Sequence, residues 1–282
     1  MLMYLKILLS LLCCSSFAFG QQLICSQQDS IAVTNKLQVI KSIDTTSNTS
    51  AVVGIGKTFL GTSYVAKTLE VGEKESLVVN LHGLDCTTFI ENVLALALVN
   101  KEANAHFTAF TSNLEKLRYR DGKLNGYGSR LHYFTEWIRN NEKKGIVEDI
   151  TASLGGEEIV KPINFMSTHR ELYPFLQSDA NFEGIQEAEK ALNSDVFCNL
   201  PQEKILAKEH LIQSGDIIAL TTSIKGLDVT HTGIATREKD GRIHLLHAST
   251  TSGQVEVSKL PLVAYLKKIK GNIGITVARP IF

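Results

Sequence analysis

Downstream of Asp85 the chain carries Phe89, Ile90, Val93, Leu94, Ala97 and Leu98, at i, i+1, i+4, i+5, i+8 and i+9. That spacing predicts a helix with one wide apolar face, which must be covered by a second layer. Asp85 falls at the N-cap position. The covering layer is predicted from the C-terminal part. Beyond Gly215, β-branched runs at 216–221, 231–237, 242–249, 254–257 and 273–278 are separated by turn residues. An apolar helix early and a series of strands late predict an α+β fold with an antiparallel sheet.

Other segments fit around that pair of layers. Residues 51–60 have helical apolar spacing behind a polar break at 45–50, and residues 76–80 read as a short strand. Residues 101–205 carry more polar helices, near 107–117, 133–143 and 181–192. They read as an elaboration between two parts of one core, at about 50–100 and 206–282. The expected organisation is a single catalytic domain over 21–282. Hydrophobic residues make up 44% and charged residues 21%, which excludes a disordered chain. Lys+Arg and Asp+Glu are both 29, so phosphate-driven nucleic-acid binding has no electrostatic basis.

The first twenty residues place Lys6 ahead of an apolar run, with Ala18 and Gly20 before Gln21. This is a secretory signal pattern with cleavage near Gly20, and it predicts export to the periplasm or cell exterior. The run is short for about 30 Å of hydrocarbon. Lipid attachment at Cys13 or Cys14 is disfavoured by the bulky Leu12.

Removal of that segment leaves Cys25, Cys86 and Cys198. An odd number leaves at least one free thiol, and a Cys25–Cys198 bridge stays open. Cys86 falls in the first turn of the apolar helix. Unpaired N–H groups and the helix dipole there are expected to lower its pKa, which suits a nucleophile. The competing reading is a small buried hydrophobe.

A nucleophilic thiol needs a base. Of eight histidines, His231 and His247 lie in neighbouring predicted strands. A two-residue Asp240-Gly241 turn would put them on opposite faces. A three-residue turn, 239–241, pairs Glu238 with Arg242 and puts both on one face, with His247 across from Gly233. His231 is then the base for Cys86, and His247 its orienter. His244 falls on the other face, against a His-x-x-His metal pair. A zinc site from Cys86, His231 and His247 is chemically possible, but no further acidic ligand or HExxH sequence accompanies it.

The residues also resemble a family. Phe59-Leu-Gly-Thr-Ser-Tyr64, Leu84-Asp85-Cys86-Thr87-Thr88-Phe89, Gln213-Ser-Gly-Asp-Ile-Ile218, His231-Thr-Gly-Ile234 and His247-Ala-Ser249 occur in an order similar to that of NlpC-type bacterial cell-wall cysteine peptidases. Residues 85–97, 65–70 and 129–134 resemble the N-acetylmuramoyl-L-alanine amidase-like branch. The resemblance implies a papain-like core and a Cys86-His231-His247 triad. It implies cleavage between N-acetylmuramic acid and L-alanine in peptidoglycan fragments, with no cofactor or metal. Thr87 stands where many such enzymes have Ser, and Ser63 where Pro is usual. The other reading within the clan is an endopeptidase of the stem peptide. The same likeness marks Tyr64, Asp85, Arg130 and His132 as substrate-binding candidates. Their bland alternatives are a packing tyrosine, an N-cap, a surface cation and a helix-start histidine.

Overall fold

The computed structural model describes residues 23–43, 47–101 and 105–282. The expected signal segment lies outside the described residues. Among those described, no helix is long and apolar enough to cross a membrane.

The predicted apolar helix runs Cys86–Val99. The Asp85 carboxylate accepts from the Thr88 N–H at 2.8 Å, and the Thr88 hydroxyl accepts from the Asp85 N–H at 2.9 Å. This reciprocal cap satisfies two backbone donors and fixes where the helix starts. Phe89, Ile90, Val93, Leu94 and Leu96 are all fully buried. Each large aliphatic or aromatic side chain so buried contributes about 1.5–3 kcal/mol.

The helix packs on a ten-stranded sheet. In spatial order the sheet runs Gly83–Leu84, Ser63–Tyr64, Gln254–Val257, Ile243–Ser249, Val229–Arg237, Ile217–Thr222, Asn272–Pro280, Phe197–Pro201 and Glu157–Ile159, with Val147–Asp149 also paired to Asn272–Pro280. Most pairings are antiparallel, as expected. The sheet edge departs from this, because Ser63–Tyr64 and Gly83–Leu84 run parallel. A separate parallel pair joins Leu23–Cys25 to Leu77–Val79. The fold is a mixed assembly of helices and sheets.

The segment 101–205 is not only helical. It holds the helices Phe107–Arg118, Phe134–Lys143 and Asp179–Leu192, and it also gives three strands to the large sheet. Those strands are short, and one reads Glu157-Glu158-Ile159. They form because Asn272–Pro280 offers backbone partners to Val147–Asp149 and Phe197–Pro201, and Phe197–Pro201 in turn pairs with Glu157–Ile159, not through an apolar alternation of their own.

Apolar cores lie on both sheet faces. Ile217, Ala219, Ile234 and Leu246 join the Cys86 helix on one side. Ile218, Leu220, Ala235 and Leu245 pack with Leu262 and Leu266 on the other. A third cluster, including Tyr127, Tyr133, Met166 and Leu176, forms inside the elaboration.

Candidate active site

The hairpin carrying the two histidines adopts the three-residue turn. Glu238 N–H donates to the Arg242 carbonyl at 3.0 Å, and Gly241 takes φ +78°. A side chain there would be strained, so glycine suits the position. Leu246 pairs with Ile234 and Leu245 with Ala235. Continued by one residue, this register sets His247 across from Gly233. A Cβ on Gly233 would lie 3.0 Å from the His247 Cβ and 2.6 Å from Leu245 Cδ1. The missing side chain makes room for two imidazoles.

His231 Nε2 and His247 Nδ1 are 2.6 Å apart, with ring planes at 84°. His247 is 0% exposed. Burial draws His231 down to about 4. Burial, followed by the nearby His231, draws His247 down to about 3. Both rings are therefore neutral at pH 7.

The alternation of the strands puts these rings on the face opposite Ile234 and Leu246, which pack with the Cys86 helix. Cys86, His231 and Thr232 line one cavity of about 190 Å³, walled across by His132, Tyr133 and Tyr173. No hydrogen bond among the described residues joins Cys86 Sγ to His231.

Burial pushes the Cys86 thiol up, and the Asp85 carboxylate adds to this. The Thr232 backbone N–H and the Thr87 hydroxyl act in the opposite direction without reversing it. The expectation of a lowered thiol pKa is corrected here. A helix start lowers a pKa when the sulfur stays solvated, and this half-buried one sits among cavity walls drawn from 132–134, 166–173 and 227–232.

Asp85, Arg130 and His132 border a second cavity of about 210 Å³. Thr87, His132 and Tyr173 line both cavities, which makes them neighbours. Arg130 is not a surface cation. Its guanidinium is buried, paired to Glu70, 3.7 Å from Glu75, and lies 4.9 Å from the Tyr127 ring centre. His132 Nε2 lies 2.9 Å from the Tyr127 carbonyl, and burial together with Arg130 holds it neutral. Tyr64 is half-buried beside the helix start. Burial raises its phenol, as do the charges of Cys86 and Asp85.

Sequence reasoning did not find Tyr265, whose ring centre lies 5.4 Å from that of His247 at 72°. Nor did it find Tyr173, which lines both cavities. Neither position carries a motif. Glu70 ends a quoted motif, yet its pairing with Arg130 was not read. Cys25, Cys86 and Cys198 are all free thiols, so the open Cys25–Cys198 bridge is absent. His244 faces away from the pair, held between the Ser258 carbonyl at 2.7 Å and Asp240 at 3.0 Å. No three His, Cys, Asp or Glu side chains among the described residues are gathered as a metal-ligand set.

One cavity thus has a thiol and an imidazole in its lining, with a second imidazole bonded to the first, and these are residue types that nucleophilic acyl transfer uses. A solved N-acetylmuramoyl-L-alanine amidase from Bacteroides uniformis is 39% identical, with a TM-score of 0.77 over 83% of this chain and 98% of that one. A protein from Bacteroides fragilis, provisionally described as a xylanase, is 44% identical, with a TM-score of 0.74 over 79% of this chain and 98% of that one. A Legionella pneumophila protein shares the fold at 21% identity and a TM-score of 0.69, over 90% and 95% of the two chains. No curated protein sequence gives a match. The model of the AmiA-like family, described as N-acetylmuramoyl-L-alanine amidase-like, matches residues 54–275, and the chain belongs to that family.

Proposed function

We propose that this protein is an exported cysteine amidase. It hydrolyses the amide between N-acetylmuramic acid and L-alanine in peptidoglycan fragments, with Cys86 as nucleophile, His231 as base and His247 as orienter on an NlpC-type, papain-like core. The carrying observation is the 2.6 Å contact between His231 and His247 behind a cavity that Cys86 also lines. Family membership supports the bond class.

The proton assignments follow from that contact. With Nε2 engaged by His247, His231 has only Nδ1 left for the sulfur. As base, Nδ1 must be bare, so His231 carries its proton on Nε2 and donates it to His247 Nδ1. The proton of neutral His247 then sits on its Nε2.

The thiol passes its proton to His231 Nδ1 as Sγ attacks the amide carbonyl carbon. The Cys86 N–H, at the helix start, is positioned to donate to the oxyanion. His231 returns the proton to the leaving L-alanine nitrogen, and the C–N bond breaks to leave a thioester. Water, deprotonated by His231, adds to the thioester carbonyl. The carboxylic acid departs and the thiol is restored. With the thiol raised and the imidazoles lowered by burial, the resting pair is neutral. Charge develops only during reaction.

Asp85, Arg130 and His132, around the neighbouring cavity, are proposed to face the peptide, with Tyr64 beside the helix start. Arg130 acts from within its Glu70 and Glu75 pairings and not as a free cation. Glycoside hydrolysis, named in the provisional description of the Bacteroides fragilis protein, uses two available carboxyl groups. The acids bordering these cavities are engaged: Glu70 by Arg130, Asp85 by Thr88, Glu91 by Arg118 and Asp228 by Thr135.

The test is mass spectrometry of products from a defined disaccharide-peptide. The expected products are a free sugar and an intact peptide. A shortened peptide would move the assignment to a stem-peptide endopeptidase. Cys86→Ala is expected to remove turnover while keeping the fold, and full activity in that variant would sink the thiol mechanism. Iodoacetamide is expected to inactivate and a chelator to spare. The reverse pattern would assign a zinc amidase.

A further inference from the structure

His247 Nε2 is buried and has no hydrogen-bond partner. The assignments above require it to carry a proton, so a buried donor lacks an oxygen or nitrogen acceptor. Such a donor is destabilising when nothing receives it. What stands against the ring is Tyr265, from the short helix Leu262–Leu266. An aromatic face is a weak acceptor for N–H. Glu256 sits directly across from His247 in the adjoining strand, yet no hydrogen bond joins them. Tyr265 and Glu256 both line an open groove on that side of the site.

We propose that Tyr265 is a positioning residue. Its ring seals His247 from the groove and from Glu256, and keeps the His247 proton on Nε2, so that Nδ1 stays an acceptor for His231. The inference rests on the roles given above to His231 and His247, but not on the substrate. The titratable groups set against His247 among the described residues are His231, Tyr265 and Glu256, with Cys86 lining the cavity on the His231 side. In this proposal the Tyr265 ring is what keeps the carboxylate and water from Nε2. Without it, His247 hydrates or pairs with Glu256 and takes up a second proton. Protonated His247 cannot accept from His231, and the base turns out of line.

The test is nitrogen-15 NMR of histidine-labelled full-length protein, with the pH dependence of Cys86 alkylation by iodoacetamide. Neither measurement needs a substrate. Wild type and Tyr265→Phe are expected to show His247 protonated at Nε2, with matching alkylation profiles. Tyr265→Leu is expected to raise the His247 titration and to slow alkylation at pH 7 roughly ten- to a hundredfold. A Leu variant that titrates and reacts like wild type overturns the proposal. So does a Phe variant that behaves like Leu, because the hydroxyl would then be acting. Should Tyr265→Leu fail to fold, wild type still decides, since a His247 proton on Nδ1 refutes the assignment. Wild type that shows the expected NMR and alkylation pattern but leaves muropeptides uncut would overturn the function and leave Tyr265 in its role.

Discussion

His231 and His247 come within 2.6 Å because their strands are joined by a turn of three residues. A turn one residue shorter would send the rings to opposite faces. The catalytic order proposed for them can be tested by truncation. His231→Ala is expected to lose at least as much kcat as His247→Ala, because only His231 moves the proton. Each loss should reach about a hundredfold or more. Parallel kcat and KM measurements on a muropeptide check this, and the opposite ranking would exchange the two roles.

The same pair makes stability depend on pH. In the unfolded chain both imidazoles titrate near 6.5, whereas burial holds them at about 4 and about 3 in the fold. Below 6.5 the unfolded chain binds protons that the folded chain refuses. Stability present above 6.5 is therefore lost as the pH falls through 4. Urea midpoints from pH 7 to pH 4 should fall less steeply in a His231→Gln/His247→Gln protein than in wild type. Equal slopes would mean that the two rings are not buried as described.

Gly233 allows a third prediction. Gly233→Ala puts a methyl 2.6 Å from Leu245 Cδ1 and 3.0 Å from the His247 Cβ. Overpacking of this kind costs about 1–3 kcal/mol. Because it presses on His247, kcat should fall further than stability alone explains. A Gly233→Ala protein with normal thermal melting and turnover would contradict the close approach.

A fourth concerns the helix that carries Cys86. Glu91 and Arg118 form a contact of 2.7 Å with both side chains 2% exposed, and Arg118 also donates to the Val78 carbonyl at 2.7 Å. Glu91→Ala leaves a buried guanidinium unpaired and is expected to cost about 3–5 kcal/mol. Glu91→Gln keeps an acceptor and should cost less. Denaturant unfolding measures both, and equal small losses would show that the pair adds nothing to stability.

Much of this arrangement was legible in the residues. The spacing after Asp85 and the N-cap chemistry locate the helix, and the Lys239-Asp240-Gly241 turn with its glycine locates the register. Both are local signals that involve few residues. What escaped was decided by distant chain. The strands at 147–149, 157–159 and 197–201 are short and partly charged, and they exist because Asn272–Pro280 had free backbone groups for the first and third and the third pairs with the second. The helix start says nothing of the burial that raises the Cys86 thiol, because that comes from residues far along the chain, such as His132, Tyr173 and His231. The burial of Arg130 was not legible either, because its partners Glu70 and Glu75 lie far upstream.

The two-residue strand Gly83–Leu84 runs straight into Asp85 and Cys86. It is laddered to Ser63–Tyr64, which is laddered through Gln254 to the strand beside His247. The sulfur and the imidazoles are thereby tied through main-chain amides, which almost any residue supplies. Walls built from 101–205 can diverge without disturbing that ladder, and they act on the thiol only through how deeply they bury it. Proline inserted along that ladder is a change the architecture would not forgive.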